Sequence, residues 1–245
     1  MPRRSTYYGA TARFINDLST QFNGVNQYTR NNGAHRFGSA DSFTLSGWFK
    51  ISNVTPNQFL ISCASGSGAQ GYILRCNGGK IGFFVVQAGY GNGQFISIES
   101  GVTVVNNTWY HIMVTYQGSI DRPGVRSGAL DLTMYIDGVA TGTGAGTINN
   151  AFTNSNQFQI NGFAGGIALS ANNTDEATIY DEVKDAAFAA ALYGAGSPTD
   201  RTGDGNVSWY RMGDGDSSPT INDNTGTDDL TMINMSNANF VNDTP

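Results

Sequence analysis

Lysine is nearly missing from this chain of 245 residues: only Lys50, Lys80 and Lys184 occur. Glutamate is as scarce, at Glu99, Glu176 and Glu182, and there are two His, two Cys and six Pro. Charged residues reach 13%, about half of the usual quarter. This shortage excludes a long-helix or coiled-coil protein, which draws on Ala, Glu, Lys and Leu in bulk. A net charge of -6 makes the chain a poor electrostatic partner for nucleic acid or an anionic lipid surface. No apolar run is long enough for a membrane-spanning helix. The opening Met1-Pro-Arg-Arg-Ser-Thr-Tyr-Tyr8 lacks the apolar stretch of a secretory signal, and reads as a polar arm that docks onto a partner.

Two cysteines do not suggest a disulfide scaffold. A turn centred on residues 67 and 68 sets Cys63 opposite Tyr72 and Cys76 opposite Phe59. The two would then lie roughly 13 Å apart along the strand, too far to bridge. Both read as free, buried thiols.

What is abundant points one way. Gly, Asn, Thr and Ser supply 100 of the 245 residues, while 39% are hydrophobic and 11% aromatic. That is enough apolar material for a core and argues against disorder. Many turns joined by β-branched and aromatic runs give an all-β chain. In Ser42–Ser52, one face carries Phe43, Leu45, Gly47, Phe49 and Ile51, and the other Thr44, Ser46, Trp48 and Lys50. Period two marks a half-buried strand. Residues 109–116 and 130–136 alternate in the same way. Asp137-Gly138 and Asn77-Gly78-Gly79 sit between strand runs and tolerate the positive φ of a tight hairpin. Further strands are expected at 22–30, 58–64, 94–99, 147–152, 157–163, 176–183, 207–212 and 229–234. The one helix expected is Lys184–Tyr193, stopped by Gly194. About a dozen short strands suit a two-sheet antiparallel β-sandwich. With no composition break, the chain reads as an arm over residues 1–20 and one domain over 21–245. Two long loops, 117–129 and 195–206, interrupt the pattern.

Five segments in order resemble the concanavalin A-like, laminin G-like (LamG) jelly-roll family. They are Phe22-Asn-Gly-Val-Asn-Gln-Tyr28, Phe43-Thr-Leu-Ser-Gly-Trp-Phe-Lys50, Trp109-Tyr-His-Ile-Met-Val-Thr-Tyr116, Leu132-Thr-Met-Tyr-Ile-Asp-Gly-Val139 and Ile179-Tyr-Asp-Glu-Val183. The segment Val207-Ser-Trp-Tyr-Arg-Met-Gly-Asp-Gly215 is similar to a strand that often opens such domains, and here it comes last, as a permuted or appended closing strand. That ordering resembles LamG-type proteins of tailed bacteriophages. The family includes lectins, adhesion modules and some glycanases, so fold alone leaves function open.

Catalysis can be tested by counting carboxylates. A glycosidase needs a pair about 5–5.5 Å or 6.5–9.5 Å apart, and the glycanases of this fold set them on one strand in a Glu-x-Asp-x-x-Glu-like motif. That motif is absent. Glu176 and Glu182 are roughly 20 Å apart on an extended strand, and an Asp pair assembled from loops stays open. His111 lies inside a strand and reads as structural. No nucleophile elbow, zinc signature or phosphate loop occurs. The expectation is a non-enzyme. Glycan-binding candidates are Tyr90, Asn92, Gln94, Trp209 and Arg211, which set aromatic rings beside hydrogen-bonding groups. Asp200, Asp204, Asn206, Asp214 and Asp216 lie in acidic Gly-rich loops of the kind that offers hard oxygens to Ca2+, with Asx-stabilised turns as the alternative. Partner-contact candidates are Arg3, Arg4, Arg13, Arg122 and Arg126. The composite expectation is a virion-surface structural protein, a capsid decoration or tail-associated protein that contacts other virion proteins or copies of itself. The alternative is an extracellular lectin-like module, with or without calcium, and a glycanase ranks last.

Overall fold

A computed structural model describes residues 14–64, 70–88, 94–118, 126–127, 131–149, 151–163, 166 and 168–245. Two antiparallel sheets form a sandwich. The eight-stranded sheet runs Val139–Thr141, Leu132–Ile136, Trp109–Tyr116, Phe43–Ile51, Asn172–Tyr180, Ser19–Gln21 and Phe240–Val241, with Ser208–Tyr210 also paired to Asn172–Tyr180. The ten-stranded sheet runs Thr220–Ile221, Leu230–Ile233, Tyr28–Asn31, Phe158–Ile160, Gln58–Ala64, Gly71–Asn77, Lys80–Ala88, Gln94–Glu99, Thr143–Ile148 and Arg126–Ser127.

The alternation in Phe43–Ile51 decides the core. Phe43, Leu45, Phe49 and Ile51 lie in the main hydrophobic cluster between the sheets. Directly opposite residues in an antiparallel pair share a face. Leu45 therefore meets Val114 and Ile179 on the inner side, while Trp48 meets His111 and Asp175 on the outer side. That outer face is covered. The helix Ala186–Tyr193 packs Ala189 and Leu192 on Met113, Tyr135 and Tyr180. Its N-cap Asp185 accepts the Phe188 N–H at 2.9 Å, which satisfies one of the orphan donors of the first turn. Gly194 ends it at φ 59, where an added Cβ would lie 2.3 Å from the Ser197 carbonyl oxygen.

Both hairpins form as two-residue loops with two positive φ angles: Asp137-Gly138 at 51 and 77, and Gly78-Gly79 at 59 and 76. Both cysteines are free and buried, and Cys63 pairs with Tyr72 as expected. Cys76, however, faces Gln58 rather than Phe59, because a bulge between Phe59 and Ile61 shifts the register by one.

Other differences are local. The expected strand over 22–30 is two strands, Ser19–Gln21 and Tyr28–Asn31, because the Asn23 side chain caps Val25 N and Asn26 N and turns the chain. The strand expected at 176–183 starts four residues earlier, at Asn172. The strand expected at 147–152 is Thr143–Ile148. The arm expected over 1–20 overlaps the strand Ser19–Gln21, which joins the eight-stranded sheet. The C-terminal segments close both sheets: Ser208–Tyr210 and Phe240–Val241 in one, Leu230–Ile233 in the other.

Candidate functional site

Chemistry-bearing side chains gather on the outer face of the eight-stranded sheet, where Asn172–Tyr180 bulges. Asp175 pairs with Trp48, and the next residue in register with Phe43–Ile51 is Thr178, opposite Ser46. Ala177 turns into the core. The extra residue, Glu176, takes φ 47, a left-handed conformation uncommon for a side chain of its size. Two adjacent acids thus become buried, Asp175 at 0% and Glu176 at 5% exposure.

Their compensation comes from distant segments. The Trp209 indole N–H donates to Glu176 Oε2. Arg211 Nε donates to Glu176 Oε1 at 3.2 Å, and its Nη2 donates to Asp214 Oδ2 at 3.2 Å. From the other end of the chain, Asn16 Nδ2 donates to Asp175 Oδ2 at 2.9 Å. Burial pushes the Glu176 carboxyl up from 4.5 to about 7, against the opposing pull of Arg211 and Trp209. Burial also holds Asp175 well above the usual carboxylate range, with the Glu176 charge adding to it.

Beside this cluster, Ser46, Trp48, His111, Glu176, Thr178 and Arg201 help enclose a cavity of about 10 Å³, room for about one water molecule. His111 Nε2 lies 2.8 Å from Ser46 Oγ. Burial lowers its pKa to about 3, so the ring is neutral. This cavity is too small for a sugar, and with residues 14–18 in place the buried acids have no open path to one.

Two open hollows among the described residues lie elsewhere. One of about 700 Å³ is lined by Val54, Thr55, Gly79, Thr103, Val105 and Asn106, among others. Another of about 420 Å³ is lined by Ser39, Ala40, Gln70, Ala151, Phe152 and Thr153. Neither carries a carboxylate.

Of the sequence candidates, the structure brings Trp209, Arg211 and Asp214 together. Trp209 is 6% exposed, a covered ring rather than an open platform. Gln94 is exposed at the start of its strand. Tyr90, Asn92, Arg3, Arg4, Arg13 and Arg122 fall outside the described residues, and Arg126 pairs with Ile148 in a short strand. The acidic loops are held by their own hydrogen bonds. Asp200 caps Thr202 N, Asp204 pairs with Arg201, Asn206 accepts from Thr225, and Asp216 caps Gly213 N and Asn222 N. No group of three or more His, Cys, Asp or Glu among the described residues is placed to hold a metal ion. The sequence reading passed over Phe14, Asn16 and Asp175. The available signal was two adjacent acids, Asp175-Glu176, within a strand run, since a pleated strand turns one of any such pair inward, where Asp and Glu are almost never left without a partner.

Comparison with solved structures places the fold. A candidate carbohydrate binding protein from Bacteroides ovatus matches with a TM-score of 0.57 at 17% identity, over 88% of this chain and 58% of its own. This chain thus spans less than two thirds of that protein. A heptameric SAP-like pentraxin from Limulus polyphemus matches with a TM-score of 0.45 at 15% identity, over 74% of this chain and 84% of its own. The binding domain of botulinum neurotoxin serotype G matches with a TM-score of 0.44 at 16% identity, over 72% of this chain and 46% of its own. No curated protein matches at the level of sequence. Residues 23–190 match the Laminin_G_3 model, described as the concanavalin A-like lectin/glucanases superfamily, and the chain belongs to that family.

Proposed function

We propose that this protein is a non-enzymatic, lectin-like carbohydrate-binding module. One observation carries the reading: among the described residues, the two large open hollows are lined by no carboxylate, and the clustered carboxylates of the folded chain adjoin only a cavity of about 10 Å³. A glycanase needs both in one place. The Bacteroides ovatus neighbour, a candidate carbohydrate binding protein of the same fold, supports the ligand class. The test is a glycan array followed by calorimetry, run with calcium and with a chelator. Binding that survives chelation is expected, because the loop acids are already hydrogen-bonded. No binding at millimolar sugar overturns the reading.

A second setting for the same module is a virion surface, where the protein would decorate a capsid or tail and contact virion proteins or further copies of itself. The arginines at 3, 4 and 13 precede the first acid, Asp17, in an otherwise Lys-poor chain, and this favours an arm that meets an acidic partner. Replacing all three with Ala should abolish incorporation into particles, and unchanged incorporation overturns the virion role. An extracellular setting is the alternative.

A further inference from the structure

Residues 14–18 have no regular secondary structure, yet they lie across the Trp209–Arg211 cluster as a strap. The Phe14 ring stacks on Trp209 at 6.2 Å with an interplanar angle of 21°. The guanidinium carbon of Arg211 sits 4.7 Å from the Phe14 centroid, and Arg211 Nη2 donates to the Ile15 carbonyl. Asn16 donates to Asp175 at 2.9 Å, and Asp17 N donates to Asp214 Oδ2 at 3.1 Å. The strap thus presents a flat ring to an indole, one acceptor to an arginine and two N–H donors to two carboxylates.

We propose that Phe14–Asp17 is the internal occupant of a ligand groove whose external ligand is a neutral sugar ring of an oligosaccharide. This rests on the carbohydrate-binding reading above. A pyranose offers the same set of groups: an apolar face of C–H bonds for Trp209, and hydroxyls that accept from Arg211 and donate to Asp175 and Asp214. Arg211 is already ion-paired with Glu176 and Asp214, which disfavours an anionic ligand. The fit is incomplete on the protein side: Asp175 Oδ1 and Asn16 Oδ1 are buried without a hydrogen-bond partner, and such groups are costly. A ligand hydroxyl in place of Asn16 can reach Asp175 with no amide oxygen left stranded.

The strap can also leave without disturbing the sheet, at the cost of its side-chain contacts and the Asn242 bond to the Asp17 carbonyl. It precedes Ser19–Gln21, which stays paired on both sides with Asn172–Tyr180 and Phe240–Val241, so opening breaks no sheet pairing. Segments of this kind open locally at low free energy. The part of the outer face under the helix has no such exit.

The experiment compares the full-length protein with full-length Phe14→Ala/Asn16→Ala, using sugars found on the array. A groove occupied by its own strap about 90% of the time or more weakens apparent affinity about tenfold or more. The variant should therefore bind about tenfold tighter. The peptide Phe-Ile-Asn-Asp-Leu should compete with sugar on the variant. In the unmodified protein, saturating sugar should speed amide hydrogen exchange at residues 15–18 and leave Ser19–Gln21 protected, a readout that does not depend on the variant folding. Equal affinity in both proteins with no change in exchange overturns the strap and leaves the carbohydrate-binding role standing. No sugar binding by either overturns both.

Discussion

Trp209 donates its indole N–H to Glu176, joining a late strand to the one residue that bulges from Asn172–Tyr180. The bond explains two oddities together. A carboxyl in a left-handed backbone position is retained there because Trp209 and Arg211 satisfy both of its oxygens. A tryptophan that the sequence presents as an exposed platform is covered because its polar edge points at that carboxyl.

Glu176 should make stability fall as pH rises. Its folded-state pKa is raised by burial from 4.5 to about 7. The folded chain therefore holds a proton that the unfolded chain gives up across that window. The contribution is complete below about 4.5 and lost as pH rises through about 7. Thermal melts from pH 4.5 to 8 should show the Tm of the unmodified protein falling relative to that of Glu176→Gln, a difference in which the opposite contributions of the buried, neutral His35 and His111 cancel. Asp175, also raised, leaves part of the slope in the variant. Identical slopes would contradict this assignment.

Asp185→Ala should destabilise the protein by about 1 kcal/mol, the usual cost of a lost N-cap. The helix that it caps seals the outer face over Met113 and Tyr180. Asp185→Ser should recover most of the loss. Urea midpoints for the three proteins check the order.

Phe43→Ala should cost about 3–5 kcal/mol. The ring is 1% exposed and stacks on Phe37 at 4.6 Å, with Tyr72 and Tyr116 beside it. Chemical denaturation measures the loss. A cost below 1 kcal/mol would mean that this cluster can collapse around the gap.

The C-terminus hangs on Asp243. Its carboxylate accepts from Lys50 at 2.7 Å, from Asn173 at 3.1 Å and from the Trp109 indole at 3.4 Å. The ion pair is partly exposed and worth about 1 kcal/mol at most. Asp243→Ala should therefore barely move Tm. It should still raise hydrogen exchange in Phe240–Val241 and, through its pairing, in Ser19–Gln21. Unchanged exchange there would show that the strand pairing alone holds the tail.

Much of the fold could be read from local chemistry. Phe43, Leu45, Phe49 and Ile51 alternate because a pleated strand sends neighbours to opposite faces. Asp137-Gly138 turns because both residues tolerate positive φ. Gly194 stops the helix because an added Cβ would strike Ser197. Two features escape the period-two pattern, one in strand pairing and one a local Asx turn. The bulge between Phe59 and Ile61 moved Cys76 by one residue, and the Asn23 turn split an expected strand.

Residue type and period-two spacing are enough for the sandwich, the free thiols and the scarcity of Glu and Lys. That Trp209 is covered and Arg211 half-buried, and by what, comes from packing between distant segments. Asn16 and Asp175 are 159 residues apart, and Glu176 and Trp209 are 33 apart. Alternation says which side chains leave the core, but not whether another segment lies over them. That depends on where the chain returns, and here it returns as a five-residue strap over the acids that would otherwise face water.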